Sequence, residues 1–239
     1  MPQFVKGAAD ISVVIPAYNA QKYLQEALNS VYKQSFAGSV EIVAVNDGSI
    51  DDTLQILKDQ AYPLSIISQA NQGVLGSRKT GIEAAQGNYI TVLDADDLYL
   101  EHKLQRQWNF LRENPEQELV FAQVEQFISP DVSKVNFMEI PEAFRVMPSL
   151  NFQGSMFCRD LLKEVSLSAN INIRNGDFLE WFTRVREANK PYTVLNEILL
   201  KRRVHDTNTG IIEKEREHLD YLKILREKLH RGRRSGDPK

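Results

Sequence analysis

The feature that most narrows what this chain can fold into is a repeated beat over roughly its first hundred residues: short apolar, β-branched runs separated by helical stretches. Ile11–Pro16, Glu41–Val45, Leu64–Ser68 and Tyr89–Leu93 are the runs, each four to eight residues in scale and closed by turn residues, so each reads as a strand. Between them, Tyr23, Leu24, Ala27, Leu28 and Val31 fall on one helical face behind Asn19 as an N-cap. Ser49 with Asp52 has the spacing of a capping box before Leu54 and Leu57, and Gly76–Ala85 reads as a third helix. Strands that are apolar at successive positions are buried on both faces. Such strands, joined by helical crossovers, predict an α/β fold with a mostly parallel central sheet flanked by helices.

The rest of the chain is less regular. Leu119–Ile128 and Tyr192–Leu200 read as strands and Asp177–Ala188 as a helix, while Ser129–Pro148 reads as irregular or mobile. Glu213–Arg234 predicts a charged C-terminal helical extension, so residues 213–239 are read as a basic helix and tail after a domain of residues 1–212. Lys223–Arg234 holds six Lys/Arg and one acid, with Leu219, Leu222, Leu225 and Leu229 at helical spacing. That pattern suits a helix packing its leucines on the domain, a partner-binding helix or a peripheral contact at the inner membrane surface.

At 239 residues, with a net charge of −3, the chain offers no bulk attraction to nucleic acid, so no nucleic-acid partner is expected. Cys158 is the only cysteine, which excludes an intramolecular disulfide and any CxxC metal site. Met1–Asp10 lacks the apolar stretch of a signal peptide, and no run approaches the ~20 apolar residues a transmembrane helix needs. The expectation is a soluble, cytoplasmic protein.

Ligands of open α/β sheets sit outside the carboxyl ends of the strands. Asp47 follows the second strand, and Asp94-Ala95-Asp96-Asp97 follows the fourth without a break. Asp47 alone reads equally well as a turn cap. Gathered carboxylates such as Asp94 and Asp96 repel unless a divalent cation offsets them, and hard cations prefer oxygen ligands.

Five segments in order, Val13-Val14-Ile15-Pro16-Ala17-Tyr18-Asn19, Val45-Asn46-Asp47-Gly48-Ser49, Asn71-Gln72-Gly73, Ser77-Arg78-Lys79-Thr80-Gly81 and Leu93-Asp94-Ala95-Asp96-Asp97, resemble the signature of family 2 inverting glycosyltransferases with the GT-A fold. The resemblance is strong to about Leu100 and traceable to about Gly210. It implies a nucleotide-sugar-binding half over about residues 1–128 and an acceptor half over about 129–212. It also implies that Pro16, Ala17, Tyr18 and Asn19 line the nucleotide, and that Asp47 hydrogen-bonds the base, commonly uracil. Arg78 would approach the base or phosphates, Asp94 and Ala95 would lie by the ribose or metal, and Asp96 would ligate Mn²⁺ or Mg²⁺. A cation bridging two phosphates would lower the charge that builds on a leaving diphosphate.

Inversion needs a base on the far side of the sugar. Asn175-Gly176-Asp177-Phe178-Leu179-Glu180-Trp181 resembles the family's base-bearing helix start, with Asp177 in that position. Gly176 departs from the family's usual Glu, Glu180 is the second candidate, and Asp177 suits a helix start in any case. Lys201-Arg202-Arg203-Val204-His205 resembles the terminal Arg-x-His segment, whose His approaches the metal or diphosphate, and Gln153-Gly154-Ser155-Met156-Phe157 the stretch beneath the acceptor side. The Gln-x-x-Arg-Trp motif of processive synthases is absent. These resemblances imply a non-processive, metal-dependent transfer of a sugar from a UDP-sugar or related donor to an acceptor hydroxyl. The acceptor is carbohydrate, lipid-linked or peptide. Two other readings stay open: a non-catalytic nucleotide-sugar-binding protein, and a nucleotidyltransferase, although Pro16-Ala17-Tyr18-Asn19 stands where the latter has a Gly-rich loop.

Overall fold

The computed structural model describes residues 1–130, 132, 140–167, 177–206 and 208, with only the backbone of Ala143 and Asp177. The expected C-terminal helix over residues 213–234 lies outside the described residues. In chain order the elements are β1 (Gln3–Val5), β2 (Ile11–Ala17), α1 (Leu24–Tyr32), β3 (Ser39–Asn46), α2 (Thr53–Lys58), β4 (Ser65–Ser68), α3 (Gly73–Ala84), β5 (Tyr89–Val92) and β6 (Leu98–Tyr99). There follow α4 (Lys103–Glu113), β7 (Leu119–Ile128), α5 (Glu142–Arg145), β8 (Val146–Pro148), β9 (Ser155–Cys158), α6 (Leu161–Glu164), α7 (Asp177–Glu187) and β10 (Tyr192–Val204).

These strands form one 10-stranded sheet whose main path runs β1-β3-β2-β5-β9-β7-β10-β6, with β4 on β3 and β8 on β7. Parallel pairing holds from β1 through β3 and β2 to β5, between β3 and β4, and again between β7 and β10. The expected α/β class and GT-A-like sheet are therefore present. Antiparallel β9 joins the two parallel groups, pairing with both β5 and β7.

Period-2 alternation sends each strand's side chains into two cores. On β2, Ile11, Val13, Ile15 and Ala17 pack on one side and Val14 on the other; on β3, Val40, Ile42 and Ala44 oppose Val43. The first core is closed by Leu24, Ala27, Leu28 and Val31 of α1 with Leu104 and Leu111 of α4. The second is closed by Ile82 of α3, Leu161 of α6 and Phe178, Trp181, Phe182 and Val185 of α7. Both faces are covered at β2, β3 and β5, whose side chains are buried at nearly every position. Among the described residues, no helix is long and apolar enough to cross a membrane.

Several local expectations change. Asn19 does not cap a helix: it sits in the left-handed region at φ 46°, and α1 begins at Leu24. Its backbone N–H donates to Ser49 Oγ at 3.1 Å and its Oδ1 accepts from the Ile50 N–H at 3.0 Å, clasping the loops after β2 and β3 together. Ser49 is thereby drawn away from any capping box, and Asp51 Oδ1 accepts the Thr53 N–H instead, at 3.0 Å. Helix α3 starts at Gly73, three residues before the expected start, and β10 runs on to Val204. Within the segment read as irregular, α5 forms and β8 pairs antiparallel with β7.

Candidate active site

Strands β2, β3 and β5 are parallel neighbours, so their carboxyl ends open on one edge of the sheet. Pro16 and Ala17 end β2, and the Ala17 carbonyl accepts the Asp47 N–H at 2.9 Å. Beyond it, Tyr18 projects with 52% of its surface exposed. Asp47 is buried, and its Oδ1 accepts two hydrogen bonds, from Gln69 Nε2 at 2.7 Å and from the Gln72 N–H at 2.9 Å. Gln72 immediately precedes α3, and Arg78 on the same helix donates through one terminal nitrogen to both oxygens of Asp94, at 2.9 and 2.8 Å. The opening turns of α3 thus run from one acid to the other. The helix lies close on the sheet because Gly81 leaves room: a Cβ there would collide with Val14.

Asp94, Asp96 and Asp97 each offer an oxygen within 4.8 Å of the others. Three like charges this close need compensation, and each acid receives a different kind. Asp94 has Arg78. Asp96 Oδ2 lies 2.9 Å from His205 Nε2 and 3.5 Å from Asn208 Nδ2. Asp97 is buried with both oxygens engaged, Oδ1 by the Arg203 N–H at 2.8 Å and Oδ2 by Gln153 Nε2 at 2.9 Å. The same Gln153 nitrogen donates to Asp94 Oδ2. Burial, then the neighbouring Asp96 and Asp94 charges, pushes the Asp97 carboxyl well above the usual carboxylate range. The donor set of Asp94 and Asp96 fits a divalent cation: hard oxygens on a partly exposed edge, with buried Ala95 fixing the loop between them.

Arg203 ties this edge to the rest of the molecule. Its guanidinium lies over the rings of Tyr23 and Phe127, at 4.5 and 4.8 Å from their centroids. It donates to the Asp96 carbonyl at 2.9 Å and to Glu26 Oε2 at 2.6 Å. His205, two residues on, packs its ring 4.9 Å from that of Tyr23.

Helix α7 begins at Asp177. Its buried aromatic face is fixed: Phe178 meets Phe152 edge-on at 5.0 Å, Trp181 stacks on Phe152 at 5.4 Å, and Trp181 Nε1 donates to the Val165 carbonyl at 2.9 Å. Because Phe152 precedes Gln153, the start of α7 and the acid cluster are joined through two consecutive residues. Glu180 pairs with Arg184 one turn along the same helix, at 2.9 Å.

Sequence reasoning placed Pro16, Ala17, Asn19, Asp47, Arg78, Asp94, Ala95, Asp96 and His205 among the residues assembled here, and left Gln153, Arg203, Asn208 and the protein-facing role of Asp97 unassigned. The signal was there for two of them: Gln153 and Arg203 stand in the segments Gln153–Phe157 and Lys201–His205 described above.

The chain is 27% identical over 219 residues to an uncharacterized glycosyltransferase of Rickettsia typhi, covering 86% of this chain and 68% of that one. It is 38% identical over 109 residues to an uncharacterized glycosyltransferase of Haemophilus influenzae, covering 44% of this chain and only 43% of that relative. The fold is similar to that of a mannosyltransferase from Pyrobaculum calidifontis solved with GDP-Man and Mn²⁺, with a TM-score of 0.70 at 16% identity, covering 97% of this chain and 65% of that one. It is also similar to TarS 1–349 of S. aureus in complex with UDP, with a TM-score of 0.65 at 22% identity, covering 82% of this chain and 60% of that one. The profile of glycosyl transferase family 2 matches residues 12–163, more than half of the sequence, and on that ground the chain belongs to glycosyl transferase family 2.

Proposed function

We propose that the chain is a metal-dependent, inverting, non-processive glycosyltransferase that moves a sugar from a nucleotide-sugar, a UDP-sugar in the first instance, to an acceptor hydroxyl. The observation that carries this reading is the juxtaposition at one sheet edge of Asp47, the Arg78–Asp94 pair and the acid cluster. The mannosyltransferase and TarS, which share the fold, bind GDP-Man with Mn²⁺ and UDP respectively, and this supports it.

In this reading the nucleobase lies by Tyr18 and Asp47, held through Asp47 Oδ2, since among the described residues the bonds to that carboxylate fall on Oδ1. Arg78 offers its positive charge to the phosphates. Asp96 and Asp94 hold Mn²⁺ or Mg²⁺, with His205 beside Asp96. When bound, the cation neutralises charge growing on the leaving diphosphate. Asp177 takes the acceptor hydroxyl's proton, and the freed oxygen forms its bond to the anomeric carbon as the bond to the diphosphate breaks on the opposite face. Two features support Asp177: it starts a helix whose aromatic face packs on Phe152, and Glu180, the other candidate, is engaged by Arg184. Residues to about 128 then form the nucleotide-sugar half and those after it the acceptor half.

A thermal-shift screen of UDP-, GDP- and dTDP-sugars with and without Mn²⁺ tests this, because a donor that binds the native state raises the melting temperature by mass action. The expected result is a Mn²⁺-dependent rise with one nucleotide class and release of nucleotide on turnover. Binding without donor hydrolysis or transfer would overturn the catalytic reading in favour of a binding module.

A further inference from the structure

Gln153 is a neutral side chain in the middle of a charged cluster. Its position follows from a rigid backbone. The Gly154 N–H donates to Asn151 Oδ1 at 2.9 Å, and the Gly154 carbonyl accepts from Gln107 Nε2 at 2.8 Å and from the Ala122 N–H at 3.1 Å. A Cβ on Gly154 would collide with the Ser149 carbonyl, so this turn requires glycine. One residue further, the Ser155 carbonyl accepts from Thr91 Oγ1 at 2.6 Å, near the end of the strand that leads to the acids. On the other flank, Phe152 is locked between Phe178 and Trp181 of α7. The Gln153 amide therefore arrives in a fixed place, 8% exposed, and spends its one nitrogen on Asp94 Oδ2 and Asp97 Oδ2.

We propose that Gln153 is a positioning residue: by bridging Asp94 and Asp97 from the segment packed on α7, it holds Asp94, one of the two acids assigned to the cation, against the buried Asp97 and links the acceptor side of the site to the donor side. Its chemistry suits the task. A lysine here would compete with the cation for Asp94, and a carboxylate would add a further repelling charge beside Asp94 and Asp96, whereas an amide N–H₂ orients Asp94 and Asp97 without adding charge of its own.

The inference rests on the cation reading above, and a Mn²⁺ titration of the UDP-dependent thermal shift separates the two. In Gln153→Met, which keeps the volume and removes the donor, half-saturation should need roughly 10–100-fold more Mn²⁺, the usual effect of losing a group that orients a metal ligand. In Gln153→Glu, the metal-free protein should melt below wild type and recover more than wild type does on adding Mn²⁺. A purely space-filling glutamine predicts a Met variant with an unchanged Mn²⁺ midpoint, and that result overturns the proposal. Should Gln153→Met fail to fold, Gln153→Glu decides alone, since a Mn²⁺ response identical to wild type also overturns it. A wild-type chain without any Mn²⁺-dependent shift overturns the proposed function and this inference with it.

Discussion

Replacing Asp47 by Asn separates the two jobs its carboxylate performs. Oδ1 accepts from Gln69 Nε2 at 2.7 Å and from the Gln72 N–H at 2.9 Å, which fixes the start of α3, while Oδ2 is assigned to an N–H of the nucleobase. Asparagine keeps an oxygen for Gln69 and Gln72 and turns an N–H₂ toward the base. The free protein exchanges two charge-assisted bonds for neutral ones and should lose about 1–2 kcal/mol. UDP loses a bond to a charged acceptor, about 1.5–3 kcal/mol, which is roughly 10- to 150-fold in affinity, before counting the two donors now facing each other. At a UDP concentration 100 times the wild-type Kd the ligand stabilises the native state by about 2.7 kcal/mol; a hundredfold weakening leaves about 0.4 kcal/mol, so the thermal shift nearly vanishes. CDP presents a ring acceptor where UDP presents a donor, so the variant should favour CDP over UDP in the same assay. An Asp47→Asn protein that keeps the full UDP shift, or that loses UDP and CDP alike, refutes the assignment.

Asp96→Ala should abolish the Mn²⁺-dependent part of donor binding while the protein stays folded; thermal shifts with and without Mn²⁺ check it. Asp177→Asn should leave donor binding intact and slow transfer by roughly 10²–10⁴-fold, the contribution of a positioned base, as read by nucleotide release; if donor binding fails instead, Asp177 is structural. Lys103 is fully buried, its ammonium donating to Thr91, Gln107 and the Ser155 carbonyl, and burial pushes it well below the usual lysine range. The unfolded chain therefore binds more protons at this residue than the folded one, so stability should rise with pH from that lowered value until the unfolded lysine titrates near 10.5. Lys103→Met should flatten this rise in melting temperature, and an unchanged slope would count against a depressed Lys103.

The strands that frame the site announce themselves because they are apolar at consecutive positions, as Val13–Ile15 and Val43–Val45 are. Strand β9, four residues long, carries too little pattern to declare a strand, let alone an antiparallel one, and its pairing depends on β5 and β7 already flanking it. Asn19 shows a different limit: asparagine suits both an N-cap and a left-handed turn, and the choice is made by Ser49 and Ile50, about thirty residues away. In the site, the acids were legible because charge gathered at a strand end is unusual in local sequence. Gln153 and Arg203 were not, since each acquires its role from Asp97, at separations of 56 and 106 residues that no local pattern encodes.

Those separations give the molecule a timetable. Arg203 bonds to Asp97 across 106 residues and to Glu26 across 177, so the nascent chain exposes its three adjacent acids long before their partners are synthesised. Contacts of such high order form late, because the intervening loop must close before the contact rewards it. The parallel strands around β2 can assemble from early sequence, but the acid-bearing edge is completed only when β10 docks beside β7 and carries Arg203 and His205 into place. On the proposed reading, the capacity to hold a cation would come late in folding, and a chain interrupted before β10 would have the carboxylates without Arg203 and His205 beside them.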